Sequence, residues 1–446
     1  MRDTAAITKE QYFLLGAMTS VVVLLGYLTP RGETLQLLLL AVLATLCGLR
    51  LFKITPEADV PRMVAAGFVL RLTLLFMLPN LSDDYFRFIW DGRLLAAGEQ
   101  PFAALPREIV NSPLAAAANL TPELFSKLNS PDYFTVYPPL AQFTFWLTAV
   151  LGGKSVYGSV LVLRMIQLLA EAGTLWLLLK LLRKMEIPLQ RILLYAFNPL
   201  VILELIGNLH AEALVIFSLT AAFYLLHSGR HTGSALLFGF SIAAKLIPLL
   251  LLPLLLGVLG WKRTLRYSLI AGGTAALLFI PLLAGGFIPH LLSSIDLYFQ
   301  KFEFNASLYY VVREIGFAVK GYNIISVAGP ALLLLSLGVI AILSFRKTTE
   351  DAVRGFIRKS MFALLAYYLC ASIVHPWYVT PLVLFAVFVP MRFPVVWSVM
   401  AWLSYAAYGN AGYAENYWFT VIEYSAVLTA FYVDVRELNM RRKSMA

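Results

Sequence analysis

The chain has 446 residues, 60% of them hydrophobic and only 13% charged, against about 25% charged in an ordinary soluble protein. That balance excludes a soluble globular enzyme, a disordered chain and a fibrous repeat; at about 20 residues per crossing it leaves room for many membrane spans. The formal net charge of +10 sits mainly in short loops between apolar runs, a positive-inside pattern rather than a nucleic-acid footprint.

In chain order, apolar runs predict crossings near 11–29, 34–52, 63–79, 157–182, 190–206, 211–227, 233–259, 266–287, 323–345, 360–374, 377–391, 395–409 and 419–434. The first follows a start with no small-residue cleavage site and reads as an uncleaved span. The run 233–259, interrupted by Lys245 and Pro248, reads as a hairpin that enters and returns. Residues 137–152 are short and open on Pro138-Pro139, so they read as a juxtamembrane helix on the outer surface. With those two assignments most basic residues fall on one side. Among them are Arg50, Lys53 and Arg62, then Lys180, Arg183, Lys184 and Arg191, then Lys262, Arg263 and Arg266. That side is the cytoplasm by the positive-inside rule, with both termini on it. The expected fold class is all-α: a polytopic transmembrane helical bundle of about 12–14 spans. It forms one integral-membrane domain over 1–446, with outer loops at 80–156 and 288–322. Cys47 and Cys370 lie inside apolar runs, and no CxxC spacing occurs, so neither a disulfide framework nor a zinc site is expected.

The first outer loop carries more acid than base in a basic protein: Asp83, Asp84, Asp91, Glu99, Glu108, Glu123 and Asp132 against Arg87, Arg93, Arg107 and Lys127. A loop this long is usually functional. Its opening, Ser82-Asp83-Asp84-Tyr85, follows directly on an apolar run. Paired carboxylates at a lipid boundary are costly unless hydrated, paired or used. Crowding raises the pKa of one of two like charges, which suits proton abstraction from a hydroxyl. The same residues also suit a helix start, Ser82 capping and the acids complementing the dipole; both readings can hold together.

The segment DDYFRFIWDGRLLAAGEQPF (83–102) resembles the first-loop motif of the GT-C superfamily of integral-membrane glycosyltransferases. The closest likeness is to the polyprenol-phosphate-mannose-dependent mannosyltransferase branch. The likeness continues in Tyr137-Pro138-Pro139-Leu140, Arg164 followed by Glu171, Asn198-Pro199-Leu200 and Gly207-Asn208-Leu209-His210-Ala211-Glu212. It goes on through Ala244-Lys245-Leu246-Ile247-Pro248, Phe304-Asn305-Ala306-Ser307-Leu308-Tyr309-Tyr310 and His375-Pro376-Trp377-Tyr378. Where several relatives carry Asn-Asp after the histidine, this chain has Ala211-Glu212, and its first loop holds no DxD triplet.

The resemblance implies a glycosyltransferase that takes a sugar, mannose or another hexose, from a polyprenyl-phosphate donor. It would pass the sugar to a hydroxyl of a lipid, glycan or protein acceptor on the outer, periplasmic face of the cell membrane. The anomeric carbon would be inverted, with Asp83 or Asp84 as general base. No metal or other cofactor and no nucleic acid is expected. Lys245, Arg93, His210 and Arg164 are the candidate ligands of the donor phosphate; Arg164 can equally pair with Glu171, seven residues on along the same helix face. Tyr137, Glu212, Asn305, His375, Trp377 and Tyr378 are the candidates for sugar or acceptor. Tyr137 and Trp377 are the rings proposed to stack on a hexose. The tandem acids and Lys245 are expected to meet at one watery pocket on the outer rim. Two other classes fit a many-spanned chain: a secondary transporter or lipid flippase, and a lipid-linked oligosaccharide ligase or polymerase.

Overall fold

The computed structural model describes residues 7–283, 285–300, 302–348, 351–409 and 412–445. The first six residues, part of the basic start assigned to the cytoplasm, lie outside the described residues. The chain is all-α and polytopic, its only sheet among the described residues being a two-residue ladder of Tyr408–Gly409 against Gly412–Tyr413. Among the described residues six helices are long and apolar enough to cross a membrane: Lys9–Leu28, Thr34–Ile54, Val156–Lys184, Trp261–Leu282, Ile325–Phe345 and Tyr417–Met440. Leucines such as Leu35, Leu39, Leu269 and Leu334 stand exposed on their outer faces. In water such faces would aggregate; in hydrocarbon they are solvated, while the helical backbone satisfies its own hydrogen bonds.

Several of the other apolar runs are cut into shorter pieces, and the cuts have local causes. Leu189–Ala196 and Pro199–Gly207 meet at a 56° bend. Pro199 cannot continue a helix ladder, and Asn198 restarts it by accepting a hydrogen bond from the Val201 amide at 3.2 Å. At Lys245 the backbone turns extended, ending helix His231–Ala244, and Pro248 and Pro253 hold Ile247–Leu255 in a 3₁₀ winding. Residues 229–233 and 259–266 line one cavity, so the segment leaves one end of the bundle and returns to it, as a hairpin does.

The side chains sort the loops onto two ends. At one end Arg50 meets Glu10 at 2.7 Å, Lys184 donates to Ser228 at 2.7 Å, His227 faces Asp351 at 3.4 Å and Arg392 meets Glu437 at 2.8 Å. At the other, Arg31 meets Asp83 at 2.7 Å, Gln100 donates to the Pro281 carbonyl at 2.9 Å, and Phe304 bridges to Ile373. These groupings match the two sides read from the basic residues. The helix Pro139–Gly152 belongs wholly to the second end. Gln142 near its start donates to Asp91 at 2.9 Å, and Lys154 just past its end accepts from Arg93 at 2.7 Å. Its backbone lies against helix Asp84–Ala96 so closely that a Cβ on Gly92 would sit 2.1 Å from the Phe145 carbonyl oxygen. Phe88, Trp90, Leu94, Phe145 and Leu163 give this loop its own apolar core, separate from the main one.

Arg71 and Glu171 form a fully buried ion pair at 2.9 Å. Tyr195 donates to the same carboxylate at 2.5 Å, and Arg71 donates to the carbonyls of Gly67 and Ala196 at 2.9 and 2.7 Å. Glu171 is therefore the partner of Arg71, not of Arg164. Sharing a helix face makes Arg164 and Glu171 neighbours only if nothing else reaches either first, and Arg71 arrives from another helix.

Candidate active site

The loop end holds the acids, imidazoles and lysine singled out in the sequence. Asp83 and Asp84 open helix Asp84–Ala96, and their surroundings differ. Asp83 is 39% exposed and salt-bridged to Arg31. Asp84 is 21% exposed, accepts from Asn129 at 2.7 Å, and faces the Nε2 of His210 at 3.8 Å. Burial alone would raise the Asp84 carboxyl; His210 and Asn129 reverse this and hold it below the ordinary carboxylate value.

His210 is aimed by an uncommon backbone. Leu209 before it has φ +67°, a left-handed conformation that costs about 1–3 kcal/mol for a residue with a side chain. Gln167 donates to the Leu209 carbonyl at 2.7 Å and holds it there. The buried His210 ring sets Nδ1 3.0 Å from a carboxylate oxygen of Glu204, which also takes hydrogen bonds from Asn208 and Tyr405. Burial pulls the imidazole's pKa down, but Asp84 and Glu204 more than offset it and push it up to about 9. His210 is therefore a cation at neutral pH, an electrostatic group rather than a base.

From His210 a column of rings leads to the lysine. Trp377 stacks on His210 with centroids 3.7 Å apart and on His375 at 4.3 Å. Two rings that close to one centroid take opposite faces, so both faces of the indole are covered. His375 meets Tyr378 edge-on at 5.4 Å, and the Lys245 ammonium sits 4.1 Å over the Tyr378 ring. Lys245 is salt-bridged to Glu212 and 24% exposed. Burial depresses His375 to about 3, Lys245 and His210 adding to the effect against Asp84; this ring stays neutral.

The structure thus brings together Asp84, His210, His375, Trp377, Tyr378, Lys245 and Glu212 from four distant stretches. Between the acids and Lys245, where a watery pocket was expected, stands this column of stacked rings. Its members Asp84, Trp377, His375, Tyr378 and Lys245 form a half-buried strip.

The other candidates are engaged elsewhere. Arg164 donates to the carbonyls of Leu75, Ile206 and Gly207 at 3.0, 2.9 and 3.0 Å, and to Met77, which uses the guanidinium to tie helix ends together. Arg93 donates to the carbonyls of Asn119 and Lys154, at 2.7 Å each, inside the loop core. Tyr137 packs edge-on against Phe88 and Phe145 at 5.0 and 5.3 Å. Asn305 donates to Glu423 at 3.2 Å and, through its backbone, to Glu415, which pins the second outer loop beside His375. Trp377 has no open face for a sugar. Sequence reasoning missed Glu204 and Asn129. Glu204 had a signal, a lone carboxylate in an apolar run; Asn129 had none.

An all-α membrane bundle with these residues gathered at one loop end is the architecture anticipated from the motifs. Residues 13–261, more than half of the chain, match the family described as alpha-(1->6)-mannopyranosyltransferase, N-terminal domain, and the chain belongs to that family. It is 29% identical over 211 residues to alpha-(1->6)-mannopyranosyltransferase A of Mycobacterium tuberculosis, covering 47% of this chain and 39% of that protein. Over 229 residues it is 24% identical to the enzyme of the same name from Corynebacterium glutamicum, covering 49% and 44%. Alpha-(1->6)-mannopyranosyltransferase B of C. glutamicum is 26% identical over 144 residues, 32% of this chain and 23% of that one. The matched part of this chain thus spans less than half the length of each of these relatives. No solved structure matches the chain. The family match takes in Asp84, His210, Glu212 and Lys245 but stops short of His375, Trp377 and Tyr378.

Proposed function

We propose that the protein is a mannosyltransferase that moves mannose from a polyprenyl-phosphate donor to an acceptor hydroxyl at the outer face of the cell membrane. By its relatives' names the bond formed is α-1,6. Asp84 takes the hydroxyl proton as the acceptor oxygen bonds to C1 of the sugar. The C1–O bond to the phosphate breaks, the anomeric carbon inverts, and polyprenyl phosphate leaves. Protonated His210 and Lys245 meet the charge growing on the phosphate, with no metal ion in the step. The observation that supports this is the single strip carrying a carboxylate at one end, an ammonium at the other and a charged imidazole between. The outer orientation rests on the basic residues at the opposite end. The test is transfer of labelled mannose from polyprenyl-phosphate mannose by the purified chain in detergent, with linkage analysis of the product. A labelled glycoside and free polyprenyl phosphate are expected; substrate movement across vesicles without a new bond would point to the transporter class.

Lys245→Met is expected to lower kcat/KM about 10²-fold, the scale of losing one charge-stabilising donor. It also strands Glu212, so the control is the Lys245→Met, Glu212→Gln double variant. If the double variant regains transfer, the lysine only neutralises Glu212 and is not a phosphate ligand.

The pH profile follows from His210. Its raised pKa keeps the proton on, so its pairing with Asp84 and Glu204 is fully present below the ordinary value of 6.5 and is lost as pH rises through about 9. The lowered Asp84 value contributes above its ordinary 3.8 and is lost on further acidification. Lys245 and His375 face the same column, and Tyr405 faces Glu204. Transfer is expected to fall as pH rises through about 9, and His210→Gln to remove that limb. An unchanged limb in the variant assigns it to another group.

A further inference from the structure

The end of the bundle opposite the site carries its own charged feature. No Asp or Glu occurs between Glu212 and Asp296. This acid-free stretch folds so that residues 229–233 and 259–270 line a cavity of about 380 Å³, with Arg230, Arg263, Arg266 and His231 on its wall. Among the described residues no carboxylate engages any of the three guanidiniums. Asp351, an acid at this end, is taken up by His227 at 3.4 Å and by the amides of Val353 and Arg354, both at 3.0 Å.

The cavity's shape follows from two helices. His231–Ala244 and Trp261–Phe279 touch backbone to backbone where a Cβ on Gly239 would meet the Ala271 carbonyl oxygen at 2.6 Å. On the loop side of that contact residues of both helices line the cavity. Tyr267 also lines it, its hydroxyl hydrogen-bonded to Ser234 at 2.8 Å. On the same two helices Leu236, Leu265 and Leu269 are 44%, 53% and 67% exposed. Loop charge alone would satisfy the positive-inside rule; it does not call for a concave site with apolar flanks. Three like charges around one cavity repel until an anion joins them, and guanidinium forks match phosphate oxygens.

We infer that this cavity binds the phosphate headgroup of an anionic phospholipid, whose acyl chains lie along Leu236, Leu265 and Leu269. Native mass spectrometry of the full chain in detergent tests it, with phosphatidylglycerol, phosphatidylcholine and inorganic phosphate as separate arms. One phosphatidylglycerol is expected to be retained at concentrations where phosphatidylcholine is lost and phosphate does not displace it. Each Arg→Gln change is expected to weaken retention about 5-fold, and Arg230→Gln, Arg263→Gln and Arg266→Gln together about 100-fold. If the triple variant does not insert, Arg266→Gln alone carries the comparison. Equal retention of the two lipids, or unchanged retention in the variants, overturns the site. Displacement by millimolar phosphate overturns the lipid assignment in favour of a free phosphate. None of these readouts depends on sugar transfer.

Discussion

Asp84→Asn is expected to cut mannosyl transfer about 10²- to 10⁴-fold, the range of a positioned general base, while Asp83→Asn changes it only several-fold. The two acids are adjacent in sequence yet their partners divide the roles. Asp83 spends its charge on Arg31 in the open, whereas Asp84 is held by Asn129 and His210 at the head of the ring column. Asparagine keeps the shape of Asp84 and can still accept from Asn129, so the loss reports charge and basicity rather than folding. A second readout accompanies it. Without the Asp84 carboxylate, His210 loses one of the two anions that raise its pKa, and the alkaline limb of any residual activity is expected to move to lower pH. Near wild-type turnover in Asp84→Asn would falsify the assignment, and a collapse in Asp83→Asn alone would transfer it to the neighbouring acid.

Arg71→Met is expected to destabilise the protein by about 3–5 kcal/mol, the cost of leaving one member of a buried ion pair alone, and Glu171→Gln by less. The asymmetry comes from the other hydrogen bonds. Without Glu171, Arg71 keeps the carbonyls of Gly67 and Ala196; without Arg71, the fully buried Glu171 keeps only Tyr195. Replacing both residues with apolar ones of similar size is expected to recover most of the loss, since such pairs often do no better than good packing. Thermal unfolding in detergent measures all three variants. If Glu171→Gln proves the more damaging, the carbonyl contacts of Arg71 contribute little.

Much of this was legible in the sequence because membrane proteins write their constraints strongly. The two ends followed from the basic residues, the hairpin at Lys245 from a charge and a proline inside one apolar run, and the grouping of 137–152 with the first loop from its length and its proline pair. Asp84, His210, Lys245 and His375 were each visible as a polar residue where lipid forbids an idle one. What stayed hidden was pairing. A guanidinium can serve a phosphate, a carboxylate or several carbonyls, and only the neighbours decide. Arg164 and Arg93 went to carbonyls and Arg71 to Glu171, because helix crossings far apart in the chain placed those acceptors nearer. Trp377 was recognised as an aromatic at the rim; that two imidazoles would cover it depends on stretches more than 150 residues apart, His210 and Trp377.

The clasp made by Arg164 has a consequence for how such a scaffold tolerates change. Its acceptors are main-chain oxygens at 75, 77, 206 and 207, which every amino acid supplies alike. One side chain thus fastens three stretches of polypeptide without prescribing what any of them must be. Descendants can drift at those four positions and keep the frame, while losing the single fastener releases all of it at once.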